Sequence, residues 1–120
     1  MTTESAVVQV GVDISKATLA ISLPSDEYLV INNTLAAIKK WLSGFSKPIE
    51  LAMEATGIYH LTLAQEAFRQ GHTVYLINGY RLNRYRDSVG VRAKTDQNDA
   101  RLLRRYLERE HDQLEPWKPA

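Results

Sequence analysis

Apolar residues alternate or cluster in short runs over the first third of the chain and recur every three or four positions later. Residues 6–12 are an apolar, β-branched run and read as a buried strand. Asp13 to Lys16 looks like a turn, and residues 17–23 place Leu19, Ile21 and Leu23 on one face of a second strand. Pro24 to Asp26 marks another turn before a short strand over 27–31. Asn33 or Thr34 can cap a helix to about Ser43, with Leu35, Ile38, Leu42 and then Phe45 at helical spacing and Gly44 as the stop. A fourth strand covers 49–53, and a helix over 58–70 is expected to bury Leu61, Ala64 and Phe68 before Gly71. Residues 73–77 form a fifth strand, and Asn78-Gly79 reads as a turn. A weakly periodic helix over 80–88, a loop over 89–94 and a helix from Asp96 to about Glu110 capped by Thr95 complete the pattern.

Three strands in a meander, then alternating helices and strands, predict an α/β domain with a mixed five-stranded sheet and helices on its faces. Right-handed crossovers put the fourth strand parallel to and beside the first. That arrangement is the RNase H-like fold. A length of 120 residues fits one domain over residues 1–120, with 113–120, which holds two prolines, as the start of a linker.

Composition narrows the field. A hydrophobic fraction of 44% and a charged fraction of 24% are those of an ordinary globular domain. The absence of cysteine excludes disulfides and thiolate zinc sites and suits a reducing cytoplasm. His60, His72 and His111 are scattered without zinc spacing. The net charge of +1 hides an asymmetry: residues 81–109 hold nine Lys/Arg against four acids. That basic third is either a phosphate-contacting surface or a solvated helix face with pairs such as Arg104–Glu108. Lys16, Arg81, Arg84, Arg86, Arg92 and Lys94 are the nucleic-acid-binding candidates, with Tyr80 and Tyr85 interleaved for stacking. Trp41 reads as core, and Trp117 as a cover for the domain end or an interface residue.

Four acids carry the candidate chemistry. Asp13 and Glu54 follow the first and fourth strands, whose carboxyl ends would lie ~4.8 Å apart as parallel neighbours. Asp96 and Asp99 extend the apolar stripe Ala100, Leu103, Leu107 toward the start of their helix. Each acid has a structural alternative: Asp13 as a turn residue, Glu54, Asp96 and Asp99 as acids near a helix N-terminus. Together in one crevice they would repel unless a hard divalent cation joined them. Two such ions suit phosphoryl transfer on nucleic acid.

At these residues the chain resembles the DEDD transposases of the insertion-sequence-110 family, which includes the Piv/MooV invertases. The resemblance rests on Val10-Gly-Val-Asp-Ile-Ser-Lys16, Met53-Glu-Ala-Thr-Gly57 and Ala93-Lys-Thr-Asp-Gln-Asn-Asp-Ala100. It implies a RuvC-like domain whose tetrad falls on Asp13, Glu54, Asp96 and Asp99, holding Mg²⁺, for which Mn²⁺ can substitute, and cutting and joining DNA. It further implies homo-oligomers, in some members a structured guide RNA, and an essential serine in a C-terminal domain beyond a helical linker. Ser15, Ser43 and Ser88 match no such nucleophile, and Gly79 stands where the family pattern suggests Pro or Ala. Two other readings compete: a DNA- or guide-RNA-binding and dimerisation module that is inert alone, and a fragment of a sugar-kinase-like ATPase. The latter needs glycine-rich phosphate loops that the chain lacks.

Overall fold

Strand alternation decides which residues meet which layer. The computed structural model describes residues 7–55, 57–90 and 95–120. The strands are β1 (Gln9–Ile14), β2 (Thr18–Ser22), β3 (Tyr28–Asn32), β4 (Glu50–Glu54) and β5 (Thr73–Ile77). The helices are α1 (Leu35–Ser43), α2 (Leu61–Arg69), α3 (Gly79–Val89) and α4 (Asp96–Glu110). The five strands form one sheet in the order β3-β2-β1-β4-β5. β2 is antiparallel to both β1 and β3, whereas β4 is parallel to both β1 and β5. This is the mixed sheet of the RNase H-like fold, with β4 beside β1 as the crossover argument requires.

On one face Val10, Val12, Leu51, Met53 and Val74 pack against Ile38 and Leu42 of α1 and Leu63, Ala64 and Ala67 of α2. On the other Ala52, Tyr75 and Ile77 meet Leu82 of α3 and Leu102, Leu103, Tyr106 and Leu107 of α4. Each fully buried Leu or Ile contributes roughly 1.5–3 kcal/mol. The α4 layer sits unusually close to β1. A Cβ on Gly11 would overlap the Ala100 carbonyl oxygen and the Arg104 backbone nitrogen, so only glycine fits. This glycine interrupts the apolar run of β1 to admit the helix that carries Asp96 and Asp99.

The termini of the helices follow their capping chemistry. Thr34 accepts from the Ala37 N–H and Thr95 from the Asn98 N–H. Asn78 accepts from the Tyr80 and Arg81 N–H groups, so Asn78-Gly79 is the start of α3 rather than a free turn. β1 continues into the expected turn, to Ile14: Asp13 pairs with Ala20 and lies within the strand. α2 begins at Leu61, later than expected, and Phe68 is 42% exposed while Glu66 is buried. The expected apolar stripe is therefore displaced. Glu66 is tolerated inside because Arg69 Nε donates to it at 3.0 Å and Gln70 Nε2 at 2.7 Å. Phe68 instead meets Trp117 edge-on, with ring centroids 6.2 Å apart. The Trp117 N–H donates to the Val74 carbonyl at 2.7 Å, so the chain read as linker is docked along β5 as far as that residue.

Arg104 departs furthest from a solvated basic face. It is 6% exposed. Its guanidinium donates to Ser22 Oγ at 3.0 Å, Glu108 Oε2 at 2.8 Å and Asp26 Oδ1 at 2.6 Å. Arg101 also reaches Asp26, at 3.4 Å. These two arginines tie α4 to β2 and its following turn, and Arg104 is buried in doing so.

Candidate functional site

The pairing register carries two of the four acids to one place. Gly11 pairs with Ala52 and Val12 with Met53, so Asp13 and Glu54 stand side by side one step beyond. Period-two alternation turns Asp13 to the same face as Gly11, and Glu54 to that of Ala52. That is the face on which α4 lies. Asp99, in the first turn of α4, is 8% exposed and points into this layer, whereas Asp96 is exposed. Tyr28 of β3 pairs with Ser22 of β2. The Tyr28 hydroxyl pKa is raised first by burial and then by the negative charges of Asp96 and Asp13.

Two of the inward acids, Asp99 and Glu54, meet positive potential. Arg86, near the end of α3, donates from Nη2 to Asp99 Oδ1 at 2.8 Å. Glu54 lies against the start of α3, where a Cβ on Gly79 would stand 2.5 Å from Glu54 Oε2. Gly79 thus bears on the carboxylate and not on the turn alone. The helix whose start Glu54 meets is α3, not the one that follows it in sequence. The donor set is all oxygen and already draws a cation to Asp99, which suits a hard divalent ion. Asp13, Glu54 and Asp99 share a face, yet among the described residues no three His, Cys, Asp or Glu side chains gather closely enough to hold a metal.

The basic candidates divide. Lys16 is exposed in the β1–β2 turn, and Arg81 and Arg84 are exposed on α3. Arg84 also covers the Tyr80 ring, 5.7 Å from its centroid. Arg86 is turned inward with its side chain 14% exposed. Arg92 and Lys94 lie outside the described residues.

Two residues of this corner carried no functional signal in the sequence. Tyr28 sits in a short strand with no motif. Asn33, weighed only as a cap, donates from Nδ2 to the Ser15 carbonyl at 2.8 Å and the Tyr59 carbonyl at 3.0 Å. It clamps together the loops that follow Asp13 and Glu54, contacts that a local reading cannot foresee. His60, buried in the second of these loops, has its pKa lowered by burial. An apolar cavity of about 470 Å³ lined by Val7, Val8, Phe45 and Ile49 lies at the other end of β1.

Comparison with known proteins adds the family. Residues 10–120 match the profile of the DEDD transposases of the insertion-sequence-110 type, described as transposase. The pilin gene-inverting proteins of Moraxella lacunata and Moraxella bovis are each 30% identical over 125 residues, covering 92% of this chain and 36% of theirs. The chain therefore spans about a third of the length of these relatives. Thermus thermophilus RuvC, solved in complex with a Holliday junction substrate, superposes with a TM-score of 0.64 at 14% identity. That match covers 93% of this chain and all of the RuvC chain, and it shows the shared fold. The chain belongs to the DEDD transposase family of the insertion-sequence-110 type.

Proposed function

We propose that this chain is the metal-binding catalytic part of a DNA transposase or site-specific recombinase, cutting and joining phosphodiester bonds. The observation that carries the reading is the placement of Asp13 and Glu54 on adjacent parallel strands, on the face covered by the α4 turn that holds Asp99. Membership of a transposase family, gene-inverting relatives and the fold of a junction-binding protein agree with it.

In this reading Asp13, Glu54, Asp96 and Asp99 hold Mg²⁺ or Mn²⁺. Such ions supply activation of an oxygen nucleophile and stabilisation of the leaving oxygen. The remaining work falls to the chain itself. Asn33 keeps the loops after β1 and β4 in register with each other. Lys16, Arg81 and Arg84, with Arg92 and Lys94, contact nucleic-acid phosphates, and the Tyr80 ring offers a stacking surface. A structured RNA and a second copy are further partners of the whole protein.

Calorimetric titration with Mn²⁺ tests the site. Asp13→Asn and Asp99→Asn are each expected to weaken binding at least tenfold, the order of loss for removing one charged ligand. Unchanged binding in both variants would remove the metal-site reading.

A second reading has its own observation. Asp13, Glu54 and Asp99 share a face, but among the described residues no group of three acids or histidines that could hold a metal is present. That favours a nucleic-acid-binding and dimerisation module completed by the serine-bearing domain. Salt-dependent DNA binding that survives both substitutions, with no Mn²⁺ uptake, would favour this alternative.

A further inference from the structure

Arg86 Nη2 pairs with Asp99 Oδ1 at 2.8 Å. The two side chains are 14% and 11% exposed, so their ion pair is largely removed from water. The contact serves the carboxylate better than the arginine. Nη2 donates to Asp99, but Arg86 Nε is buried with no hydrogen-bond partner. A guanidinium settled for good would direct its fork at two acceptors. Unpaired buried N–H groups are costly, which makes this arrangement one that can be exchanged.

The same helix faces a second acid. Glu54 lies against Gly79 at the first residue of α3, and Arg86 reaches Asp99 from the last turn of that helix. α3 thus brings positive potential to two acids, through its N-terminus to Glu54 and through a guanidinium to Asp99.

From this geometry we infer that Arg86 is a placeholder cation, neutralising Asp99 until a divalent ion arrives and then giving the carboxylate up. The inference rests on Asp99 being a metal ligand, as proposed above. A guanidinium bound to Asp99 occupies one of its oxygens and repels an incoming cation, so the two positive groups compete. Arg86 is in this sense a positioning residue, because it governs when Asp99 is available.

The test is Mn²⁺ binding to the 120-residue chain, read by calorimetry and by the electron paramagnetic resonance of the free ion. Arg86→Gln is expected to bind Mn²⁺ on the order of tenfold more tightly than the wild type, because a competing charge is gone. Its metal-free melting temperature should fall below that of the wild type, and the gap should close as Mn²⁺ is added. Equal or weaker binding by Arg86→Gln, with binding lost in Asp99→Asn, overturns the placeholder role and leaves the metal site standing. Unchanged binding in Asp99→Asn overturns both. Absence of binding from wild type and Arg86→Gln alike also overturns the placeholder role, since removing the competitor then changes nothing. Should Arg86→Gln not fold, the Mn²⁺-soaked wild-type crystal decides. Arg86 Nη2 beyond hydrogen-bond range of Asp99 supports the exchange; an intact pair beside a metal bound to Asp99 refutes it.

Discussion

Gly11 of β1 lies directly beneath Arg104 of α4, where a Cβ would stand 3.0 Å from the Arg104 Cα and overlap its backbone nitrogen. The nearest atoms are backbone, so nothing flexible can yield. Gly11→Ala is expected to lift α4 and destabilise the fold by roughly 1–3 kcal/mol, the usual cost of overpacking. Urea unfolding measures it. The same substitution should weaken Mn²⁺ binding, because Asp99 rides on α4.

Arg104 contributes through its bonds to Ser22, Asp26 and Glu108. Arg104→Met should cost about 2 kcal/mol, the order of one charge-assisted hydrogen-bond group, because the acids released remain partly in water. If nucleic-acid affinity and its salt slope stay unchanged in this variant, the arginine is structural; a drop in the slope would return it to the binding surface.

Glu66 sets an acid limit. Its hydrogen bonds from Arg69, with a contribution from Gln70, outweigh burial and hold its pKa at about 2 against an ordinary 4.5. A depressed carboxylate pKa stabilises the fold above the unfolded value, and that stability is lost as pH falls from about 4.5 toward 2. The urea midpoint of Glu66→Gln should lie below that of the wild type at pH 6, and the two should converge in acid.

The histidines pull in opposite directions near neutrality. His72 accepts the Ile49 N–H on Nδ1 at 3.0 Å, and burial lowers its pKa below 6.5. Its contribution is full above 6.5 and fades as pH falls through the folded value, when protonation removes the acceptor. His111, beside Asp112 and Glu50, has its pKa raised, so its contribution is full below 6.5 and fades as pH rises. His72→Gln should flatten the acid side of the stability profile, and His111→Gln the alkaline side. NMR titration of the two rings should give midpoints on opposite sides of 6.5; a shared midpoint would refute both assignments.

Local pattern was enough for the elements and their order. The β-branched run of β1, the threonine caps of α1 and α4 and the 3.6-residue stripe of α4 are written in neighbouring residues, and neighbours decide them. The positions of Asp13 and Glu54 at strand ends and of Asp99 in the first turn of α4 were legible for the same reason: strand ends and helix starts are local properties, and crossover handedness supplies the rest. What local pattern misplaced depends on distant partners. Asp13 is held in β1 by pairing with β2, so it is not a turn residue. Phe68 faces outward, where it meets Trp117, far along the chain, edge-on. Arg104 and Arg86 resembled any other basic residues until Ser22 and Asp26, in one case, and Asp99, in the other, were brought within hydrogen-bond reach. By itself the sequence determined which residue types reach the carboxyl edge of the sheet. Only the tertiary structure decided which charges meet there, because a long side chain takes its partner from whatever another layer places within a few ångströms of its tip.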